Sequence, residues 1–317
     1  MSNGSLPAAL ITAFAERPLQ GNGAAVVALE RPLPAAWMQA VAAQLRQSET
    51  AFLLPIGRPG AAAEDPAEWA LRWFTPHCEV PLCGHATLAS ALALGHWGLL
   101  APGASTRLHS RSGPLLVSLS PSRAGRAQLV LPSGGLEPSP LPCELGPSLA
   151  GTPLGSWRSA LGYWVVLLPP QFPLAGLNGD TLAQELRGEL RQGLVLMQAL
   201  EASDQNPTQN PTQNPTVQGL PADYQLRFLA PGLGISEDPV TGSAHALVAP
   251  WWCDQLGRER VVGWQPSPQG GGMVCDRLSS GMIRLSGAGQ LLWDGRLSAG
   301  VIAGETADWS CCRPGPA

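Results

Sequence analysis

Two copies of one nine-residue pattern constrain the possible folds more than any other feature of this sequence. Glu79-Val80-Pro81-Leu82-Cys83-Gly84-His85-Ala86-Thr87 and Glu237-Asp238-Pro239-Val240-Thr241-Gly242-Ser243-Ala244-His245 align at a constant offset of 158 residues, with Glu, Pro, Gly and Ala identical. Each copy follows an apolar, strand-like run that carries an arginine, Arg72-Trp73-Phe74-Thr75-Pro76 in one and Arg227-Phe228-Leu229-Ala230-Pro231 in the other. Each then runs into an Ala- and Leu-rich helical stretch. A repeated strand, loop and helix points to a duplicated domain. The chain has 317 residues, which suits two domains of roughly 100–200 residues each. The expected segments are 5–135 and 150–305, with the last strands free to return to the first domain.

Composition removes several function classes. The net charge is −4 and the arginines are scattered, so no basic stripe exists for nucleic acid. All 19 basic residues are arginine, which excludes a Schiff-base lysine and a phosphate-loop lysine. The apolar run from Ala160 to Pro170 is too short to span a bilayer, and Met1 to Phe14 lacks the basic start of a secretory signal. The seven cysteines show no disulfide-like spacing and read as reduced thiols, so a cytoplasmic protein is expected.

Along the chain, Ala8–Phe14, Ala24–Leu29, Thr50–Ile56 and Trp69–Thr75 read as strands. Trp37, Val41, Ala42 and Leu45 recur at helical spacing after Pro34, and the helix should end near Ser48. The run Ala86–Gly95 is nearly all Ala, Leu, Thr and Ser, which predicts a helix buried on every side. Leu115–Leu119, Ala127–Leu131, Tyr163–Leu168 and Leu194–Leu200 read as strands, and Asp180–Arg191 as a helix. Gln205-Asn206-Pro207-Thr208 repeats through Thr216 with a period of four. Prolines without large apolar side chains predict a flexible surface insert over 203–218.

In each copy the loop places the backbone N–H groups of Gly84–Ala86 and Gly242–Ala244 at a helix start. Such ends carry unpaired donors and about half a positive charge, which favours a substrate carboxylate. Related by a pseudo-twofold axis, the two ends would face one another across an interdomain cleft, where ligands commonly bind. The alternative is that both turns simply begin core helices. Polar residues gather there: His85 and Ser243 at equivalent places, Cys83 opposite Thr241, and Asp238 before Pro239. Asp238 suits a role orienting His85 or holding an amine, or else an Asx-type turn. Ser243 suits a hydrogen bond to substrate or a helix cap. Cys83 is either a packing residue or a thiol acid/base. His77-Cys78 with Cys83 and His85 also offer soft metal ligands, but no Cys-x-x-Cys knuckle is present and no metal is expected.

These blocks, with Gly21-Asn22 followed by Ala24-Ala25-Val26-Val27, and Ser48-Glu49-Thr50-Ala51-Phe52, resemble the phenazine-biosynthesis isomerase-like family, which has the diaminopimelate epimerase fold. The resemblance implies an α+β protein of two pseudo-twofold-related domains, each a strand barrel around a central helix. It implies a cofactor-independent isomerase that shuttles a proton between carbons of a small carboxylate-bearing substrate, and a homodimer. Glu49 matches the family's acid/base carboxylate, and His85, Asp238 and Ser243 match its supporting residues. Such a shuttle needs a carboxyl whose proton affinity rises toward neutrality, which a desolvated site supplies. Glu49 lies between the amphipathic helix and an apolar strand, consistent with partial burial. Racemases of this fold use two opposed cysteines. With Thr241 in the second place, a one-thiol dehydratase or a silent small-acid-binding relative remains the alternative. The sequence departs from the family at Gln269, where an arginine often precedes the paired glycines.

Overall fold

The computed structural model describes residues 5–56, 68–143, 145–149, 153–200, 214–298 and 307–313. The chain divides into two compact units, residues 1–130 with 286–317, and residues 131–285. It changes unit after Val130 and after Leu285, inside continuous strands with no linker composition to mark the place, whereas the sequence suggests 5–135 and 150–305.

In the first unit, β1 (Leu6–Ala13) pairs antiparallel with β2 (Asn22–Ala28). After α1 (Ala35–Leu45), β3 (Glu49–Ile56) lies parallel to β2 and antiparallel to β4 (Glu68–Phe74). The chain then makes the short β5 (Glu79–Val80) and α2 (Gly84–His96) before β6 (Ser105–Ser110) returns parallel to β4. β7 (Gly113–Leu119) and β8 (Arg126–Pro132) continue antiparallel. Far along the chain, β19 (Met282–Leu297) pairs with both β8 and β1. That pairing closes a barrel of β1, β2, β3, β4, β6, β7, β8 and β19.

A barrel of this size has little interior room, and the composition of α2 fits it. Residues Gly84 through Leu94 are all buried. The two hydroxyls among them turn inward on their own helix, Thr87 to the Cys83 carbonyl at 2.5 Å and Ser90 to the Ala86 carbonyl at 2.7 Å. Neither therefore leaves a bare polar atom in the core. The stripe Trp37, Met38, Val41 and Ala42 of α1 covers the barrel from outside, with Trp37 edge-on to Phe52 at 6.0 Å. Residues 307–313 return to this cluster, where the Trp309 indole N–H donates to the Leu33 carbonyl at 3.0 Å.

The second unit repeats the order of steps. β9 (Leu136–Pro138), β10 (Gly155–Ser159) and β11 (Trp164–Leu167) pair antiparallel. After α3 (Gly179–Glu185), β12 (Leu194–Ala199) lies parallel to β11. β13 (Thr216–Val217) and β14 (Leu220–Pro221) form a small hairpin. β15 (Tyr224–Ala230) is antiparallel to β12, and β16 (Ile235–Asp238) leads into α4 (Gly242–Leu256). β17 (Arg260–Gln265) returns parallel to β15, and β18 (Gly271–Arg277) pairs with it antiparallel. The duplication is therefore a duplication of strand pairing.

Two sequence expectations need correction. The helix expected over Asp180–Arg191 stops at Glu185, because Leu186 is extended and Gly188 takes a φ of +53°. A short 3-10 segment, Gly188–Gln192, follows. The flexible insert expected over 203–218 lies outside the described residues as far as 213. Beyond that, Thr216 and Val217 are a strand, and Val217 is buried with Ala222, Val262 and Val274.

A buried ion pair recurs at the same place in both units. Arg72 on β4 forks onto both oxygens of Glu79 at 2.7 Å each, and Arg227 on β15 forks onto both oxygens of Glu237, with Nε to Oε1 at 2.6 Å. Arg227 also donates to the carbonyls of Leu174 and Leu177, so its donors are satisfied although its side chain is only 1% exposed. A Cβ on Gly179 would lie 2.1 Å from Glu237 Oε2, so glycine is required there. Removing one member of such a pair strands a buried charge. Glu237→Gln should therefore cost about 3 kcal/mol, read as a lower urea midpoint at unchanged slope, and Gly179→Ala should shift the midpoint the same way.

Candidate active site

Asn22, Glu49, Cys83 and His85 converge in the first unit. Gly21 takes a φ of +78°, and a Cβ on it would lie 2.3 Å from the Ala13 carbonyl oxygen. The hairpin therefore turns on glycine and delivers Asn22, fully buried, at the start of β2. The parallel register sets Ala24 beside Glu49, so the first residues of β2 and β3 share one end of the barrel. α2 enters at that end. Cys83 is its N-cap residue and His85 lies in its first turn.

His85 is 3% exposed and Glu49 7%. His85 Nε2 lies 3.1 Å from Glu49 Oε2, an ion-pair distance. The line of approach does not make a hydrogen bond, so that buried oxygen has no aligned donor. Asn22 Nδ2 lies 3.2 Å from His85 Nδ1, and Cys83 Sγ lies 3.4 Å from the same nitrogen. The Ser48 hydroxyl donates to Asn22 Oδ1 at 3.1 Å. Burial disfavours a charged imidazole, yet the groups facing it, Cys83 and then the Glu49 carboxylate, hold the His85 pKa well above its ordinary value. Burial, and then Glu49, pushes the Cys83 thiol up to about 11, so at neutral pH it keeps its proton.

Glu49, Cys83 and His85 also form the one group of potential metal ligands among the described residues, with donor atoms within 4.8 Å. A cation there would have to displace the Cys83 proton and compete with the Glu49–His85 pair. His77 and Cys78 are exposed and do not join the group.

In the second unit, the sequence places Asp238 at the end of β16 and Thr241 at the N-cap of α4. The Thr241 hydroxyl donates to Asp238 Oδ2 at 2.6 Å. Gln265 on β17 then fastens the loop. Its carbonyl oxygen accepts from the Thr241 N–H at 2.9 Å, and its amide donates to the Asp238 carbonyl. Ser243 is partly exposed in the first turn of α4 and is not its cap, while Gly242 and Ala244 are buried. Neither central helix has a side-chain cap, at Cys83 or at Thr241. The N–H groups of Gly84–Ala86 and Gly242–Ala244 thus begin helices whose first turns no side chain closes.

Site-building residues that the sequence reading did not select are Asn22, Ser48 and Gln265. The first two lie in the blocks carrying the resemblance. Gln265 has no sequence signal, because its contacts lie 24 and 27 residues away. His245 is another divergence between the copies, standing where Thr87 stands in the first. It is fully buried, its Nδ1 lies 2.9 Å from the Tyr224 hydroxyl, and its Nε2 has no partner.

The "Phenazine biosynthesis-like protein" family matches residues 11–133 and 196–268, more than half of the chain. An uncharacterised isomerase of Pseudomonas aeruginosa is 34% identical over 287 residues, covering 90% of this chain and 96% of that protein. The crystal structure of a PhzF-family phenazine biosynthesis protein from Enterococcus faecalis superposes with a TM-score of 0.73 at 30% identity, over 92% of this chain and 99% of that one. A probable proline racemase from Agrobacterium radiobacter shares the fold alone, with a TM-score of 0.56 at 11% identity over 92% of each chain. Among the described residues, no helix is long and apolar enough to cross a membrane.

Burial lowers the His245 pKa from 6.5 to about 3. An unfolded chain takes up that proton below about 6.5 and the folded one does not, so stability should fall as pH drops from about 6.5 toward 3. Urea unfolding of His245→Gln across this range should show a slope flatter by up to about 1.4 kcal/mol per pH unit. The α+β fold, the family match and the relative all agree: the chain belongs to the phenazine biosynthesis-like protein family, a group of isomerase- and epimerase-type proteins.

Proposed function

We propose that this protein is a cofactor-independent isomerase that moves a proton between carbons of a small carboxylate-bearing substrate, with Glu49 as the group that takes up and returns the proton. One observation carries the reading: a buried carboxylate oxygen with no aligned donor, at the head of an uncapped central helix. An acid/base group must be able to turn to its substrate, and Glu49 Oε2 is not spent on a hydrogen bond. His85, 3.1 Å away, balances the charge that Glu49 gains and loses. The helix-start N–H groups at Gly84, Ala86, Gly242 and Ala244 suit the substrate's carboxylate. Asp238 and Ser243 take the supporting role, with Asp238 held by Thr241.

The thiol alternative has less support. A base must lose its proton near the working pH, and the Cys83 thiol stands at about 11. Thr241 is a hydroxyl already given to Asp238.

The test is deuterium uptake from heavy water into a panel of cyclic and amino-acid carboxylates. The expected result is exchange that falls by about a thousand-fold in Glu49→Gln and survives in Cys83→Ser. Undiminished exchange in Glu49→Gln overturns the reading. Loss confined to Cys83→Ser transfers the role to the thiol.

A further inference from the structure

A closed circuit runs through four side chains of the first unit. The Ser48 hydroxyl donates to Asn22 Oδ1 at 3.1 Å, Asn22 Nδ2 lies 3.2 Å from His85 Nδ1, and His85 Nε2 lies 3.1 Å from Glu49 Oε2. The peptide bond between Ser48 and Glu49 completes the ring. Among the described residues, the titratable groups facing His85 are Glu49 from β3 and Cys83 at the head of its own helix.

The chemistry of each atom fixes what the circuit can hold. An amide has one acceptor end and one donor end. With Ser48 donating to Oδ1, the donor end of Asn22 faces His85. Cys83, a protonated thiol, brings a second donor to the same nitrogen. Nδ1 must then be an acceptor, so a neutral ring carries its single hydrogen on Nε2, on the side of Glu49. When the ring takes a second proton, Nδ1 becomes a donor and needs an acceptor. The amide supplies one by turning over, so that Oδ1 faces His85 and Nδ2 faces Ser48. A serine hydroxyl both donates and accepts, so Ser48 satisfies either orientation.

We propose that Asn22, held by Ser48, is a positioning residue that decides which His85 nitrogen carries the hydrogen and keeps the ring in place beside Glu49 in both of its protonation states. This deepens the role given to Glu49 and rests on that reading. An imidazole whose second nitrogen lost its partner on each proton transfer would swing off line, and Glu49 would meet a different field at each step.

The experiment is nitrogen NMR of the ligand-free protein with labelled histidine, the His85 signal being identified by its loss in His85→Gln. Above its titration midpoint, wild-type His85 should show a single tautomer with the hydrogen on Nε2. Asn22→Asp offers a fixed acceptor to Nδ1 and should raise the midpoint by about one pH unit or more. Asn22→Leu removes both ends and should give mixed tautomers. Ser48 is only partly buried, so Ser48→Ala should fold even where the Asn22 variants fail. It should give mixed tautomers, because neither orientation of the amide keeps its second partner. A wild-type ring with its hydrogen on Nδ1 overturns the proposal, as does an unchanged tautomer in both Ser48→Ala and Asn22→Leu. No substrate enters this measurement, so its failure and a failure of the deuterium test are separate results.

Discussion

The forked arginine–glutamate pair is the constraint on which both halves of the molecule depend. It ties the end of a strand to the start of the loop that feeds the central helix, once through Arg72 and Glu79 and once through Arg227 and Glu237. Both charges are nearly shut off from water, with side-chain exposures of 7% and 15% in the first pair and 1% and 9% in the second. A planar guanidinium meeting a carboxylate along two bonds fixes direction as well as distance. The loop therefore has little freedom, and neither do the residues that follow it. Cys83 and His85 come four and six residues after Glu79, and Asp238 is the neighbour of Glu237. The pair thereby sets where Cys83, His85 and Asp238 stand.

On this common frame the copies have parted. The register that sets Thr50 opposite Phe74 sets Leu194 opposite Leu229, so the place of Glu49 is taken by Gly193 in the second copy. His85 becomes Ser243, Cys83 becomes Thr241 and Thr87 becomes His245. One copy keeps a carboxylate, an imidazole and a thiol together. The other keeps groups that hold hydrogen bonds, Asp238 through Thr241 and Gln265. The buried histidine of the second copy faces a tyrosine and stays neutral, which separates it chemically from His85.

Much of this was legible in the sequence because it rests on local necessity. The Pro-x-x-Gly turns, the small residues of α2 and the apolar stripe of α1 each serve one element, and each was readable from a short window. The family blocks brought Glu49, His85, Asp238 and Ser243 into view together. What escaped was non-local or cooperative. Asn22 matters through a contact 63 residues away and Ser48 through one 26 residues away, and neither leaves a periodic trace. The helix over Asp180–Arg191 has adequate propensity but is cut where Leu186 joins the apolar cluster with Leu182 and Leu190. Packing there overrides the local preference. The division between units falls inside strands, where composition does not change.

β19 carries a consequence for how the molecule comes into being. The barrel of the first unit lacks its eighth stave until residues 286–297 arrive beside β1. During synthesis, most of the second unit is made while β1 and β8 wait with unpaired backbone edges, the kind of surface that other strands readily join. A newborn chain of this protein is thus a circle left open until β19 is made. The arrival of β19 decides whether the helix bearing His85 is sealed from water.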